Sequence, residues 1–218
     1  MTLRGTDAGP GRPAPVKVRL TRVKNTLLAF PTPIHQARYE RLGDFNAEIA
    51  GRILALRESS AGQLRSNLGG WHSDLNLLQT LGDPYRTQLA RMFAECVRAA
   101  LDAVVEFTDP FPTHLSMDTW ANVSERGDMN AAHIHPGCPW SGVYYVVAEP
   151  NSAGEIVFTD PRTAALMVSH PLNPFPRANE VRVVPAAGLM LVFPSFLYHS
   201  VSPYEGKVPR ISVAFNLR

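Results

Sequence analysis

The chain has 218 residues, 45% of them hydrophobic, with 21 lysines and arginines against 19 acidic residues. That is enough apolar material for one medium-sized domain, and so even a charge balance argues against nucleic acid as a partner. Cys96 and Cys138 are too few for a disulfide framework or a cysteine-rich metal cluster, so any metal here must be held by histidine and carboxylate. No apolar run is long enough to cross a bilayer, and the opening MTLRGTDAGPGRPAP lacks the apolar block of a secretory signal, which reads as a cytoplasmic protein with no membrane partner.

Residues 1–14, rich in Gly, Pro and Arg, read as a flexible tail, leaving 15–218 as a single domain. Alternating apolar residues over 16–20 and an apolar run over 27–30 predict two short strands. Asp44 is placed as the cap of a first helix that carries Phe45, Ile49, Ile53, Leu54 and Leu56 at helical spacing to about Arg57. Asp83 and Pro84 open a second helix, with Leu89, Met92, Phe93, Cys96, Val97, Ala100, Leu101 and Val104 on one stripe, ending near Phe107. Between the helices SNLGGWHSD reads as a structural turn or, with Trp71 and His72, a lid over a substrate.

Beyond Pro112 the texture changes to short β-branched and aromatic stretches, at 115–123, 131–135, 141–148, 155–159, 181–184, 189–193, 197–202 and 210–217. Eight short strands without helical pattern between them predict a mainly β double-sheet jelly roll over 113–218. The helices of the preceding part, 15–112, are expected to cover one sheet from outside.

Two places carry chemistry. On a strand, residues two apart project from one face about 6.5–7 Å apart, so His133 and His135 can both reach one ion. Imidazole suits iron, zinc and copper, and three protein ligands would leave positions open for substrate. The third would come from a distant strand, and His199 is the candidate. The second place is the last strand. Ile211, Val213, Phe215 and Leu217 make one face apolar, and the other presents Arg210, Ser212, Ala214 and Asn216. A guanidinium grips a carboxylate through two parallel hydrogen bonds and a neighbouring hydroxyl can add a third, so Arg210 and Ser212 form a clamp for a dicarboxylate; a salt bridge to a protein acid would also account for Arg210. Trp120 and Asn122 share a strand face and either line the pocket or belong to the core.

Together His133-x-His135, the distal His199 and Arg210 eleven residues on resemble the iron(II) and 2-oxoglutarate-dependent oxygenases. More narrowly, SNLGGWHS at 66–73, the W-A-N of 120–122, H-x-H-P at 133–136, SGVYY at 141–145, DPR at 160–162 and FPSFLYHSVSPYEG at 193–206 resemble a bacterial family of such oxygenases, from about Phe30 to Arg218. The resemblance implies a double-stranded β-helix, iron(II) as metal, 2-oxoglutarate and O2 as cosubstrates, and oxidation of a C–H bond. It further implies that Arg210, Ser212 and Tyr145, with Asn122 nearby, hold the far carboxylate of 2-oxoglutarate.

One position departs from that pattern. Where the superfamily has a carboxylate, this chain has His135. Either the ligands are His133, His135 and His199, or an acid such as Asp128 or Asp160 supplies the third. A three-histidine, cupin-like metalloenzyme that ignores 2-oxoglutarate, and a non-catalytic binding module on the same fold, remain as alternatives. The substrate, a small molecule or a peptide, and the question of a homodimer are not legible.

Overall fold

The computed structural model describes residues 32–104, 116–162 and 180–218. The tail, the strands expected at 16–20 and 27–30 and the boundary near residue 14 lie outside the described residues. In chain order come β1 (His35–Arg38), α1 (Gly43–Ser59), β2 (Asn67–Leu68), β3 (Trp71–His72), α2 (Leu77–Leu81) and α3 (Tyr85–Asp102). Then follow β4 (Met117–Ser124), β5 (Met129–His133), β6 (Trp140–Val147), β7 (Ile156–Thr159), β8 (Glu180–Val183), β9 (Leu189–Pro194), β10 (His199–Val201) and β11 (Arg210–Leu217). All eight strands expected after Pro112 are present, with ends shifted by one or a few residues.

The strands form two antiparallel sheets, one of six strands in the order β1-β9-β6-β11-β4-β3 and one of five in the order β2-β5-β10-β7-β8. This is the double-sheet jelly roll. Its period-2 alternation sends neighbouring residues of each strand into different surroundings. On β11, Ile211, Val213, Phe215 and Leu217 join the core that carries the helices, together with Met190 and Val192 of β9 and Tyr144 and Val146 of β6. Leu189, Leu191 and Phe193 of β9 and Tyr145 of β6 turn the opposite way, into a second core with Ile156 and Phe158 of the five-stranded sheet.

The helices cover the outer face of the six-stranded sheet because each has a single apolar stripe to bury. In α3, Leu89, Met92, Phe93, Cys96, Val97 and Ala100 are buried, and Phe93 stacks on Phe215 with ring centroids 4.4 Å apart. Gly142 on β6 makes room for that ring, since a Cβ there would lie 2.5 Å from Phe215.

The helix starts differ from expectation by two residues in α1 and by one in α3. Asp44 lies inside the first turn of α1, after Leu42 at the cap position, and Pro84 rather than Asp83 caps α3. The Asp83 carboxylate instead accepts from Thr87 Oγ1 at 2.6 Å and pairs with Arg86. α3 ends at Asp102 rather than near Phe107, with Val104 already exposed. Two elements carried no readable signal: β1 is a short edge strand paired to β9, and α2 is barely more than one turn. The SNLGGWHSD segment holds β2 and β3, each pairing at a sheet edge. Trp71 is not a lid: it is buried in the helix-side core with its indole N–H donating to Ser60 O at 2.9 Å.

Candidate active site

Between the sheets lies a cavity of about 390 Å³ whose floor follows from the register of three central strands. Across β4, β11 and β6 the inward-facing residues line up in rows. Ser124 stands opposite Arg210; Asn122 and Tyr145 flank Ser212; Trp120 and Val143 flank Ala214; Asp118 and Ser141 flank Asn216. At two residues per row the floor spans about 20 Å from Arg210 to Asn216. It is polar at both ends and apolar in the middle.

The opposite wall comes from the five-stranded sheet. His133 ends β5 and His199 begins β10, and the two are direct cross-strand partners. His135 follows β5, its backbone N–H donating to Ser195 O at 3.0 Å. The ring centroids lie 4.3 Å apart for His133 and His199, 5.0 Å for His133 and His135 and 5.2 Å for His135 and His199. One ligand nitrogen from each lies within 4.8 Å of the other two. Two metal–nitrogen bonds of about 2 Å span about 4 Å, so small ring rotations bring all three onto one ion.

The chain also orients two of the rings. Nδ1 of His133 lies 2.7 Å from Ala131 O, and Nδ1 of His199 lies 2.8 Å from Leu197 O. Each carbonyl keeps the ring proton on Nδ1 and leaves Nε2 bare toward the cavity. Burial lowers the pKa of His133, and it lowers His135 to about 4 and His199 to about 3, with His133 as a neighbouring like charge in both cases. All three imidazoles are therefore neutral at physiological pH, the form that binds a metal.

Among the described residues no carboxylate joins this cluster. Asp128 is turned into its own loop, where Oδ2 accepts from Glu125 N at 2.6 Å, and Asp160 accepts from the backbone and side chain of Arg162. Neither lines the cavity.

Arg210 is 3% exposed and reaches the cavity at the far end of the floor. Its Nη1 donates to Gly154 O at 2.6 Å and its Nη2 to Ser124 Oγ at 3.0 Å. Gly154, at φ +74°, is required there, because a Cβ would lie 2.5 Å from Nη1. A guanidinium has five N–H donors, so these two bonds leave three, among them a buried Nε–H with no partner among the described residues. No carboxylate among those residues lies within 4 Å of it. Burial pushes its pKa down, while the nearby Tyr145 and Tyr204 and the more distant Asp128 favour the charge. A buried cation without a counter-ion, in a cavity shared with a cluster of neutral imidazoles, fits a small anion that also touches a metal.

His72 and Trp120 stack at 5.5 Å with an 11° interplanar angle, and Trp120 lies 5.7 Å from His135, so Trp120 both lines the cavity and packs against the His135 ring. Sequence reasoning missed Ser66, Ser124, Ser141, Gly154 and Ser195 as contributors. Ser66 Oγ lies 3.4 Å from His133 Nε2. Only Asn216 had a legible signal, through its place on the polar face of β11.

The two sheets, with three converging histidines and, among the described residues, an arginine without a counter-ion between them, have the double-stranded β-helix architecture. Solved structures with this fold include a Pseudomonas putida prolyl-4-hydroxylase, 15% identical over 85% of this chain and 91% of that one, with a TM-score of 0.55. A prolyl hydroxylase from Trichoplax adhaerens, in complex with a hypoxia inducible factor peptide fragment, is 16% identical over 84% of this chain and 82% of its own, with a TM-score of 0.54. The alpha-ketoglutarate-dependent carbocyclase SnoK of nogalamycin biosynthesis is 10% identical over 85% and 79%, with a TM-score of 0.61. A search of curated proteins found no significant match. Residues 118–216, from β4 to β11, match the model of the family described as "Putative 2OG-Fe(II) oxygenase". That match, together with the histidine cluster, supports an oxygenase that uses iron(II), 2-oxoglutarate and O2.

Proposed function

We propose that His133, His135 and His199 hold iron(II) through Nε2, and that Arg210, Ser212, Tyr145 and Asn122 receive the far carboxylate of 2-oxoglutarate. The enzyme is cytoplasmic, a single domain, and acts on a small molecule or a peptide. Among the described residues no helix is long and apolar enough to cross a membrane.

The state of Arg210 carries this reading. Burying a guanidinium without an anion is costly by several kcal/mol, and a protein retains such a group where a ligand supplies the missing charge. The donors left on Arg210, the Ser212 hydroxyl and the Tyr145 phenol, which burial keeps protonated, all stand at one end of the floor. Asn122 stands in the same row as Ser212 and Tyr145.

Bound there, iron(II) would activate O2, which is the oxidant, with 2-oxoglutarate giving up two electrons as it becomes succinate and CO2 and the substrate C–H bond giving up the other two. The chain's own residues do the rest. Neutral imidazoles leave the metal a strong net positive charge, Arg210 fixes the cosubstrate's orientation, and the apolar middle row of Ala214 and Val143, with Phe193 and Ile156, excludes water between the two. The other end of the cavity, lined by Arg65, Leu75, Asp118 and Arg218, is where a substrate enters.

Protein loaded with iron(II) and given ascorbate, O2 and 2-oxoglutarate is expected to form succinate slowly without any substrate. No succinate and no binding of 2-oxoglutarate would overturn the reading. Metal-dependent activity that survives Arg210→Ala intact would point to a three-histidine metalloenzyme that does not use 2-oxoglutarate.

A further inference from the structure

The three histidines are not held alike. Nδ1 of His133 and of His199 is tied to a backbone carbonyl two residues earlier, a contact that no side-chain substitution removes. His135, which stands where the superfamily has a carboxylate, has no such carbonyl. Its Nδ1 lies 3.4 Å from Nδ2 of Asn216 on β11. That amide continues into two further side chains. Ser141 Oγ on β6 donates to Asn216 Oδ1 at 2.8 Å and lies 2.6 Å from Ser195 Oγ, just past β9. Ser195 then closes the circuit, because its carbonyl accepts the backbone N–H of His135 at 3.0 Å.

Ser141 is 1% exposed and Ser195 is fully buried. Hydroxyls at such depth are costly unless bonded, and here the two bond each other while Ser141 also reaches the amide. The result is a ring of contacts that starts and ends on His135 and crosses three neighbouring strands. One arm fixes the backbone of His135, the other its imidazole.

We infer that Asn216, backed by Ser141 and Ser195, is a positioning residue for His135 that takes over the work done by backbone carbonyls at the other two histidines. The inference rests on the three-histidine reading of the metal site. The last side-chain torsion of an asparagine interchanges its oxygen and nitrogen, and the two serine hydroxyls can rotate with it. With Oδ1 facing Nδ1 of His135, the amide accepts the ring proton, Nδ2 donates to Ser141, Ser141 donates to Ser195, and Nε2 of His135 is left bare for the metal. Asn216 thus decides which nitrogen of the third ligand is available, and without it His135 is free to rotate and to carry its proton on Nε2.

The test uses cobalt(II) as the probe metal, with affinity read by titration and ligand geometry by the visible ligand-field absorption, alongside the melting temperature of the metal-free protein. Asn216→Ala should weaken cobalt(II) binding by about 10–100-fold, the usual cost of losing such a partner, and alter the absorption. Asn216→Asp, whose carboxylate accepts the same proton, should restore both. Ser141→Ala should fall between them. Wild-type affinity and absorption in Asn216→Ala, or equal losses in Asn216→Ala and Asn216→Asp, would overturn the inference. His135→Ala separates this failure from that of the site itself: if it binds cobalt(II) as wild type does, the three-histidine reading is wrong. If it binds weakly while Asn216→Ala binds normally, only the role of Asn216 falls.

Discussion

The two faces of the six-stranded sheet are built from the same strands and yet obey different rules. On β11 the helix-side residues Ile211, Val213, Phe215 and Leu217 are all buried in apolar surroundings. Their alternating neighbours Arg210, Ser212, Ala214 and Asn216 all line the cavity. One face buries apolar area, and the other carries a guanidinium with no counter-charge among the described residues and faces three imidazoles on the opposite wall. Polar groups placed against their own stability tend to mark function. Substitutions on the helix side should therefore cost stability and spare chemistry, and those on the cavity side should do the reverse.

The sharpest break of that contrast is His199→Ala. It should abolish iron binding and succinate formation, read by metal analysis and by product assay, while the melting temperature of the metal-free protein stays near wild type. Next in size is Phe93→Ala on the helix side, which removes the ring stacked on Phe215. It should destabilise the protein by about 3–5 kcal/mol in denaturant unfolding. The fraction still folded should bind iron normally.

Arg210→Met sharpens the contrast from the other direction. Because no carboxylate among the described residues neutralises the cation, its removal should leave the melting temperature of the ligand-free protein unchanged or raised. A clear fall would mean that Arg210 is a structural group. Tyr145→Phe should weaken 2-oxoglutarate by about tenfold, the lower end for one hydrogen bond to a charged group.

The smallest effect concerns pH. An unfolded chain protonates its histidines near 6.5, whereas the folded protein holds His135 at about 4 and His199 at about 3. Between those values the unfolded state binds more protons, so the stability from keeping these rings neutral is complete above about pH 6.5 and is lost as pH falls toward 3. The metal-free protein should melt several degrees lower at pH 5 than at pH 7.5. A higher melting temperature at pH 5 would contradict the neutral cluster.

Much of this contrast was legible in the sequence because it is local. Strict alternation over 210–217 separated an apolar face from a polar one, and the two-residue spacing of His133 and His135 foretold that the rings come together, although β5 ends at His133 and His135 follows it. The stripe of α3 read correctly from Leu89 to Ala100. Other features depend on partners far along the chain. β1 exists because β9 offers it an edge, and α2 is too short for periodicity to reveal. The helix starts slipped by two residues in α1 and one in α3 because Asp44 and Asp83 resemble caps in sequence, but the backbone turns elsewhere. Trp71 looked like part of a loop, yet its indole belongs to the core. The circuit from His135 through Asn216 and Ser141 to Ser195 spans four separate stretches, and only the register of three strands brings them together.

The central claim is that the histidine cluster and Arg210 act on one ligand. Calorimetric titration of 2-oxoglutarate under anaerobic conditions into the iron(II)-loaded protein, the metal-free protein and iron(II)-loaded Arg210→Met tests it directly. Binding should be tight only in the first case and weaker by roughly 100-fold or more in Arg210→Met, as expected for two lost charge-assisted hydrogen bonds. Equal binding in all three would contradict it.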